Sequence, residues 1–98
     1  MANDPNLTHT SALILQTVRA GSCYGFDIME TTGLASGTVY PALRRLEQLG
    51  LIHSKWEKTS EAVAHMRPAR RNYKLTNLGE QALAKAMQRY PLLQHMRP

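Results

Sequence analysis

The clearest structural pattern in the sequence lies in the segment SGTVYPALRRLEQLG, residues 36–50. Its apolar residues recur at the three- and four-residue spacing of one buried helical face: Val39, Ala42, Leu43, Leu46 and Leu49. Ser36 is a favourable N-cap and Gly50 a typical stop, so the segment predicts one helix. Because Pro41 removes a backbone hydrogen bond just past the first turn, we expect that turn to be irregular or tightened.

The opposite face of this helix is polar. It carries Thr38, Tyr40, Pro41, Arg44 and Arg45. A rod of this kind, about 20 Å long at 1.5 Å per residue, is slim enough for the major groove of B-DNA. Hydroxyls near the positive helix end can hold phosphate, and arginines can bond guanine edges or phosphate. Two alternatives remain open: Arg44 and Arg45 as ordinary solvated surface, and Tyr40 packed into the core beside Leu43.

Two shorter helices are predicted upstream. The first carries the apolar pattern Ala12, Leu13, Leu15 and Val18 and stops at Ala20-Gly21. Ser22 is the expected N-cap of the second, which ends near Gly33. Residues 33–35 then form a three-residue turn.

Downstream, residues 51–56 and 72–75 have the alternation of two paired strands. Between them lies a long hairpin loop, residues 57–71, that is polar and then basic; we call the two strands and this loop the wing. We expect Trp56 and Tyr73 to pack rather than to contact a ligand. The whole pattern predicts an α+β, mainly helical fold: a winged helix-turn-helix.

The last predicted helix follows Thr76 as N-cap. Its apolar face is Leu83, Met87 and Tyr90, and Pro91 either kinks or ends it. A core this small leaves that face little to cover, so we expect it to meet a second copy of the chain, together with Leu13 of the first helix. Ordinary packing within the chain, under the wing, is the alternative. The predicted division is a DNA-binding unit over residues 1–76 and a dimerisation element over residues 77–98.

Composition narrows the function. The chain has 98 residues and a formal net charge of +5, and the excess is concentrated in residues 62–79. That stretch holds four basic residues and no acidic one: Arg67, Arg70, Arg71 and Lys74. Nucleic acid is therefore a plausible partner, with a merely solvated loop as the alternative. In the first case the wing would place Arg67, Arg70 and Arg71 against the flanking DNA backbone or minor groove.

Several other classes of protein are not expected. No nucleophile elbow, phosphate loop or zinc-protease motif is present, and the four histidines are scattered, so we predict neither an enzyme nor a cofactor or metal site. No segment is apolar enough to span a membrane, and the first residues lack a signal-peptide pattern, so a cytoplasmic protein is expected. Cys23 is expected to be a small buried residue, with redox sensing as the alternative.

Four motifs occur in order: YGFDI at 24–28, GTVYPAL at 37–43, RPARR at 67–71 and YKLTNLG at 73–79. Together they resemble the PadR family of transcriptional regulators over roughly residues 11–86. The run GTVYPAL is the most specific, since proline after tyrosine early in a recognition helix is unusual among winged helices. Met66 departs from the glycine that many members have there, and Asn72 replaces a frequent aromatic residue.

The resemblance implies a homodimeric repressor that reads a roughly palindromic operator and is released by a small aromatic or hydrophobic effector. It implies DNA contacts from Ser36, Thr38, Tyr40, Pro41 and Arg44 in the helix, and from Arg67 and Arg70 in the wing. The alternative function is a winged-helix adaptor that binds protein and has no specific DNA site.

Overall fold

The computed structural model describes residues 7–95. Along the chain lie α1 (His9–Arg19), α2 (Gly25–Thr32), α3 (Ser36–Gln48), β1 (Ile52–Trp56), α4 (Thr59–Ala64), β2 (Arg71–Leu75), α5 (Asn77–Arg89) and a 3₁₀ turn (Pro91–His95). The fold is mainly helical with one two-stranded antiparallel sheet, which confirms the predicted class. Between residues 7 and 95, no helix combines the length and apolarity needed to cross a membrane.

The first helix, α1, forms the centre of the core. It touches α2, α3, β2, α5 and the 3₁₀ turn, and its side chains from Ser11 to Val18 are buried except for the partly buried Leu13. Thr8 caps it, because its hydroxyl accepts the Ser11 N–H at 3.0 Å. Burial on nearly every side makes α1 the support against which the other elements are held.

The link between α2 and α3 is the predicted three-residue turn. Gly33 has a φ of 75°, the left-handed conformation that ends α2. The N-caps predicted for α2 and α3, Ser22 and Ser36, are wrong. Ser22 instead places its hydroxyl 3.2 Å from that of Thr31, and Ser36 is the first residue of α3, preceded by Ala35 with no side-chain cap.

Pro41 lies inside an unbroken α3. The first turn is tightened as expected, since the carbonyl of Ala35 accepts N–H groups from both Thr38 and Val39, at 2.9 and 3.0 Å. Gly37, whose carbonyl loses its usual donor because Pro41 has no N–H, is an exposed residue. Water can therefore replace the lost hydrogen bond, which is why the helix continues.

The wing is less loop-like than predicted. Its strands pair from Ile52 opposite Leu75 to Trp56 opposite Arg71, but helix α4 occupies much of the stretch expected to be loop. Ala62 on α4 is buried, and this single anchoring residue is too weak a periodic pattern for sequence analysis to detect. Met66 follows α4 with a φ of 55°.

The C-terminal helix begins as predicted. The Thr76 hydroxyl accepts the Gly79 N–H at 3.0 Å and donates to the Gly50 carbonyl at 2.7 Å, which joins α5 to the end of α3. Gly79 packs directly on the backbone of Leu51, where no Cβ fits. Pro91 ends the helix, and the turn that follows buries Leu93 while Leu92 stays exposed.

Candidate nucleic-acid interface

The outer face of α3 gathers six of the predicted site residues on one exposed surface. They are Ser36, Thr38, Tyr40, Pro41, Arg44 and Arg45, all exposed. Their exposure follows from the stripe on the other side, where Val39, Leu43 and Leu46 are buried. Within residues 7–95, neither Arg44 nor Arg45 has an ion-pair partner, so both guanidinium groups are available to an external anion.

Tyr40 is a surface residue with a fixed neighbour. Its side chain is 43% exposed, and its ring lies over Gly25 at the start of α2. A Cβ on Gly25 would come within 2.5 to 2.7 Å of two ring carbons and the hydroxyl oxygen of Tyr40. Glycine at 25 therefore lets the tyrosine lie against α2, which accounts for one residue of the YGFDI motif.

The arginines of the wing are organised around one carboxylate, Glu57. Arg67 donates to it through both terminal nitrogens, at 2.8 Å each, and Arg70 adds its backbone N–H at 3.4 Å and Nη2 at 3.5 Å. The Glu57 side chain is only 5% exposed. The hydrogen bonds from Arg67 hold the pKa of the Glu57 carboxyl below its ordinary value of 4.5.

Glu57 was not among the predicted site residues. It is acidic and lies at the start of a loop whose three arginines come ten or more positions later. Its position just after the first strand, opposite the arginines that precede the second strand, is the pattern that could have indicated a pairing. The consequence is that Arg67 and Arg70 are held in fixed positions, whereas Arg71 is exposed and has no ion-pair partner among the described residues.

Two aromatic residues of the wing behave differently. Tyr73 is buried as predicted, and burial raises the pKa of its phenol. The prediction that Trp56 packs is wrong: it is 66% exposed, with the Arg71 guanidinium carbon 5.4 Å from a ring centroid. Trp56 is the last residue of β1, where the sheet ends, and its exposure means that residues 7–95 leave most of its side chain uncovered.

A cavity of about 390 Å³ opens between α2, α3 and the wing. The segment before α2 is held to the sheet, because the Tyr73 N–H donates to the Cys23 carbonyl at 2.8 Å. The guanidinium carbon of Arg70 lies 3.8 Å from the Tyr24 ring centroid and closes one side. Predicted site residues from separate segments therefore meet here: Tyr40, Arg44, Arg70 and Arg71.

The four residues predicted for dimerisation divide into two groups. Leu83 is buried in the chain's own core, whereas Leu13, Met87 and Tyr90 are only partly buried against it. The Tyr90 hydroxyl donates to the Leu7 carbonyl at 3.2 Å. Leu92, just beyond, is 77% exposed.

The remaining candidates are weaker. Cys23 is partly exposed rather than buried, and its thiol donates to the Gly21 carbonyl at 3.3 Å. Among the residues the structure describes, no group of three or more histidine, cysteine or acidic side chains is placed to hold a metal ion.

Comparison with known proteins identifies the family. Residues 14–85 match the transcriptional regulator PadR-like family. The chain belongs to this family. The surface formed by α3 and the wing is thus part of a PadR-like transcriptional regulator that binds DNA, as the motifs predicted. Among curated proteins, no sequence match to the chain was found.

Solved structures agree with this assignment. A PadR family transcription regulator from Clostridium difficile R20291 is 27% identical, with a TM-score of 0.74 over 90% of this chain and 93% of that one. A PadR-like transcription factor from Bacteroides fragilis is 26% identical, with a TM-score of 0.70 over 87% and 82% of the two chains. A MarR structure, 19% identical with a TM-score of 0.68 over 91% and 61%, shares the fold alone.

Proposed function

We propose that this PadR-like chain is a homodimeric repressor that inserts α3 into the major groove of a palindromic operator. One observation carries the proposal: the polar face of α3 is exposed along its length and presents two arginines that have no ion-pair partner within residues 7–95. Exposed guanidinium groups on a slim helix match the acceptor pattern of guanine edges. A buried or acidic face in this position would offer DNA nothing to bind.

Each residue of α3 has a role that follows from its place. Ser36 and Thr38 lie in the first turn, where the helix dipole favours a phosphate. Arg44, one to two turns further on, bonds a guanine edge, and Arg45 beside it meets phosphate or a second base. Tyr40 and Pro41 offer apolar contact to sugar or a thymine methyl.

The wing contributes the flanking contacts. Arg71, which has no ion-pair partner in the described part of the chain, meets a phosphate, while Arg67 and Arg70 approach the backbone or minor groove from positions fixed by Glu57. Two arginines beside one carboxylate leave a net positive charge, so the group still attracts DNA after pairing. Fixed arginines also lose less side-chain entropy on binding than freely rotating ones.

Dimerisation is the second part of the proposal. One small module makes few base contacts, whereas two copies with half-sites about 34 Å apart double them. The C-terminal element, residues 77–98, would supply the interface with α1, through Leu13, Met87 and Tyr90. Leu83 supports this surface from inside, and residues 1–76 remain the DNA-binding unit.

Regulation completes the proposal. A repressor must leave its operator, and we assign that step to a small hydrophobic or aromatic effector. The protein would act in the cytoplasm, where bacterial operators are, and needs neither a cofactor nor a membrane for this role.

Protection mapping of bound genomic fragments tests this function. Purified protein is incubated with sheared bacterial DNA, and recovered fragments are cleaved with hydroxyl radicals. We expect two protected half-sites, related by two-fold symmetry and centred about 10 base pairs apart or a multiple of that spacing. Fragments bound without a shared sequence, or no protection at all, would contradict the proposal and favour the adaptor.

A further inference from the structure

Trp56 is the largest apolar side chain that the described part of the fold leaves open to water. It is the last residue of β1 and the only tryptophan in the chain. Phe26, which is 62% exposed at the start of α2, borders the same opening. Two large rings at one opening differ from singly scattered surface residues, because together they present apolar area that gains by being covered.

Trp56 lies on the side of the wing that faces α3. Alternate residues of a strand share one face of a sheet, so Trp56 is on the same face as Ser54. The Ser54 hydroxyl donates to the Glu47 carboxylate of α3 at 2.7 Å, and Trp56 itself lines a cavity together with Arg44. The tryptophan ring is therefore beside the polar face of α3 and not on the outer face of the sheet.

A positive charge is held against the ring. Arg71 lies directly opposite Trp56 in the sheet, and its guanidinium carbon is 5.4 Å from a ring centroid, inside the limit of about 6 Å for a cation–π contact. Within residues 7–95, Arg71 has no ion-pair partner. The edge of the wing therefore presents an apolar ring and an uncompensated guanidinium group side by side.

The charges around Trp56 select a polyanion as the partner. Glu47 already accepts a hydrogen bond within the chain, and Glu57 is paired with arginines of the wing. Arg44 and Arg71 have no such partner in the described part of the chain. A second copy of the chain would bring like charges together here, which is unfavourable. A DNA strand offers both a negative phosphate and the apolar edge of a deoxyribose.

We propose that Trp56 contacts DNA: its ring packs on a deoxyribose of the strand that borders the groove of α3, and it orients Arg71 toward the adjacent phosphate. This inference rests on the proposed function, because the ring reaches that strand only when α3 lies in the groove. An indole suits the position, since its body is apolar and its Nε1–H can donate to a phosphate oxygen. Sugar and phosphate carry no direct sequence information, so Trp56 stabilises operator and random duplexes alike.

Tryptophan fluorescence observes this contact directly, because all of it comes from Trp56. Acrylamide quenching of the full chain is measured without DNA and with a saturating duplex of about 30 base pairs, long enough for two half-sites. Anisotropy of a labelled copy of the duplex shows when it is bound. We expect the quenching constant to fall about twofold, because a sugar shields one face of the ring. A bound duplex with unchanged quenching would overturn the contact alone, whereas no duplex binding at low salt would overturn the regulator function with it.

Substitution of the ring measures what the contact contributes. Trp56→Leu is expected to weaken binding of a random duplex about tenfold, and Trp56→Phe, which keeps a ring, to weaken it less. Val63→Ala is the matched control, because Val63 is an exposed apolar residue of α4 that does not line the cavity. Thermal unfolding verifies that each variant is folded. A folded Trp56→Leu variant that binds duplex as tightly as Val63→Ala does would overturn the proposal.

A double-substitution cycle tests whether the ring orients Arg71. Arg71→Gln should weaken duplex binding less in the Trp56→Leu background than in the natural protein, because without the ring the guanidinium group is no longer held toward the phosphate. Arg19→Gln is the control for loss of charge: Arg19 pairs with Glu80 of α5, and its effect should be the same in both backgrounds. Additive losses from Trp56→Leu and Arg71→Gln would overturn the orienting role.

Discussion

Arg44 and Arg70 differ in how the protein holds them. Arg44 extends from α3 without an ion-pair partner in the described part of the chain, whereas Arg70 is fixed between Glu57 and Tyr24. A freely placed arginine on α3 can select a base, and a fixed arginine in the wing meets the backbone. We therefore expect Arg44 to select a base and Arg70 to meet the backbone. The motifs contain both residues but do not reveal this difference in how they are held, since a pairing across 13 positions leaves no periodic pattern.

This difference predicts the outcome of two substitutions. Arg44→Ala should weaken operator binding by about 1 to 3 kcal/mol and random-duplex binding by less, whereas Arg70→Ala should weaken both to a similar extent. Fluorescence anisotropy with operator and scrambled duplexes measures the two affinities. Arg19→Ala is the control and should change neither. Equal losses from Arg44→Ala on both duplexes would mean that Arg44 contacts phosphate only.

Met66 stands where many family members have glycine. Its φ of 55° lies in the left-handed region that glycine adopts without strain, which explains why glycine suits this position. A non-glycine residue in the left-handed region destabilises the folded state by about 1 to 2 kcal/mol. Glycine avoids this strain, but it offsets part of the gain because it makes the unfolded chain more flexible. Met66→Gly should therefore raise the free energy of unfolding by about 0.5 to 1 kcal/mol. Urea unfolding measures it, with the exposed Val63→Gly on α4 as a control that should destabilise. A destabilised Met66→Gly would contradict this account.

At the scale of elements, the pattern of apolar residues predicted the four α-helices that supply the core: α1, α2, α3 and α5. It missed α4, which buries Ala62 alone, and it misplaced two caps. Ser22 and Ser36 are the residue types that cap helices, but a cap also needs an extended backbone at that position, and at α3 Ala35 has it. Residue type identifies a candidate N-cap, but the conformation of the turn before the helix determines which residue occupies the N-cap position.

Within the wing, Glu57 predicts a pH dependence. Its pKa is lowered in the folded protein, chiefly by the hydrogen bonds from Arg67, so its stabilising effect is complete above about pH 5 and is lost as the pH falls through the folded pKa. Glu57→Gln should lower the thermal midpoint at neutral pH, and this difference from the natural protein should shrink below pH 4.5. Glu61→Gln on α4 is the control. A difference that stays constant down to pH 3 would exclude Glu57 as the group responsible.

At the scale of the whole molecule, charge and assembly act together. A dimer carries twice the formal net charge of +5, and if it neutralises six to ten phosphates, log affinity against log salt should have a slope of roughly −5 to −9. Binding measured from low to moderate salt gives this slope. A slope near zero would remove DNA as the main ligand, whatever the fold.

Single-sequence analysis could predict the fold, the family and the exposed face of α3, because each depends on local periodicity or on a contiguous motif. It could not predict the cavity. Its lining residues are far apart in sequence: Tyr24, Tyr40, Trp56 and Arg70. They come together because the Cys23 carbonyl accepts a hydrogen bond from Tyr73 of β2 and because glycine at position 25 leaves room for the Tyr40 ring. Contacts of that kind depend on tertiary packing.

Methylation interference on an operator fragment tests most directly whether α3 lies in the major groove. Guanine N7 lies in that groove, so its methylation should block binding at guanines in both half-sites, and Arg44→Ala should abolish the interference at one guanine of each half-site. Interference confined to adenine N3 in the minor groove, or a pattern unchanged by Arg44→Ala, would contradict this placement of α3.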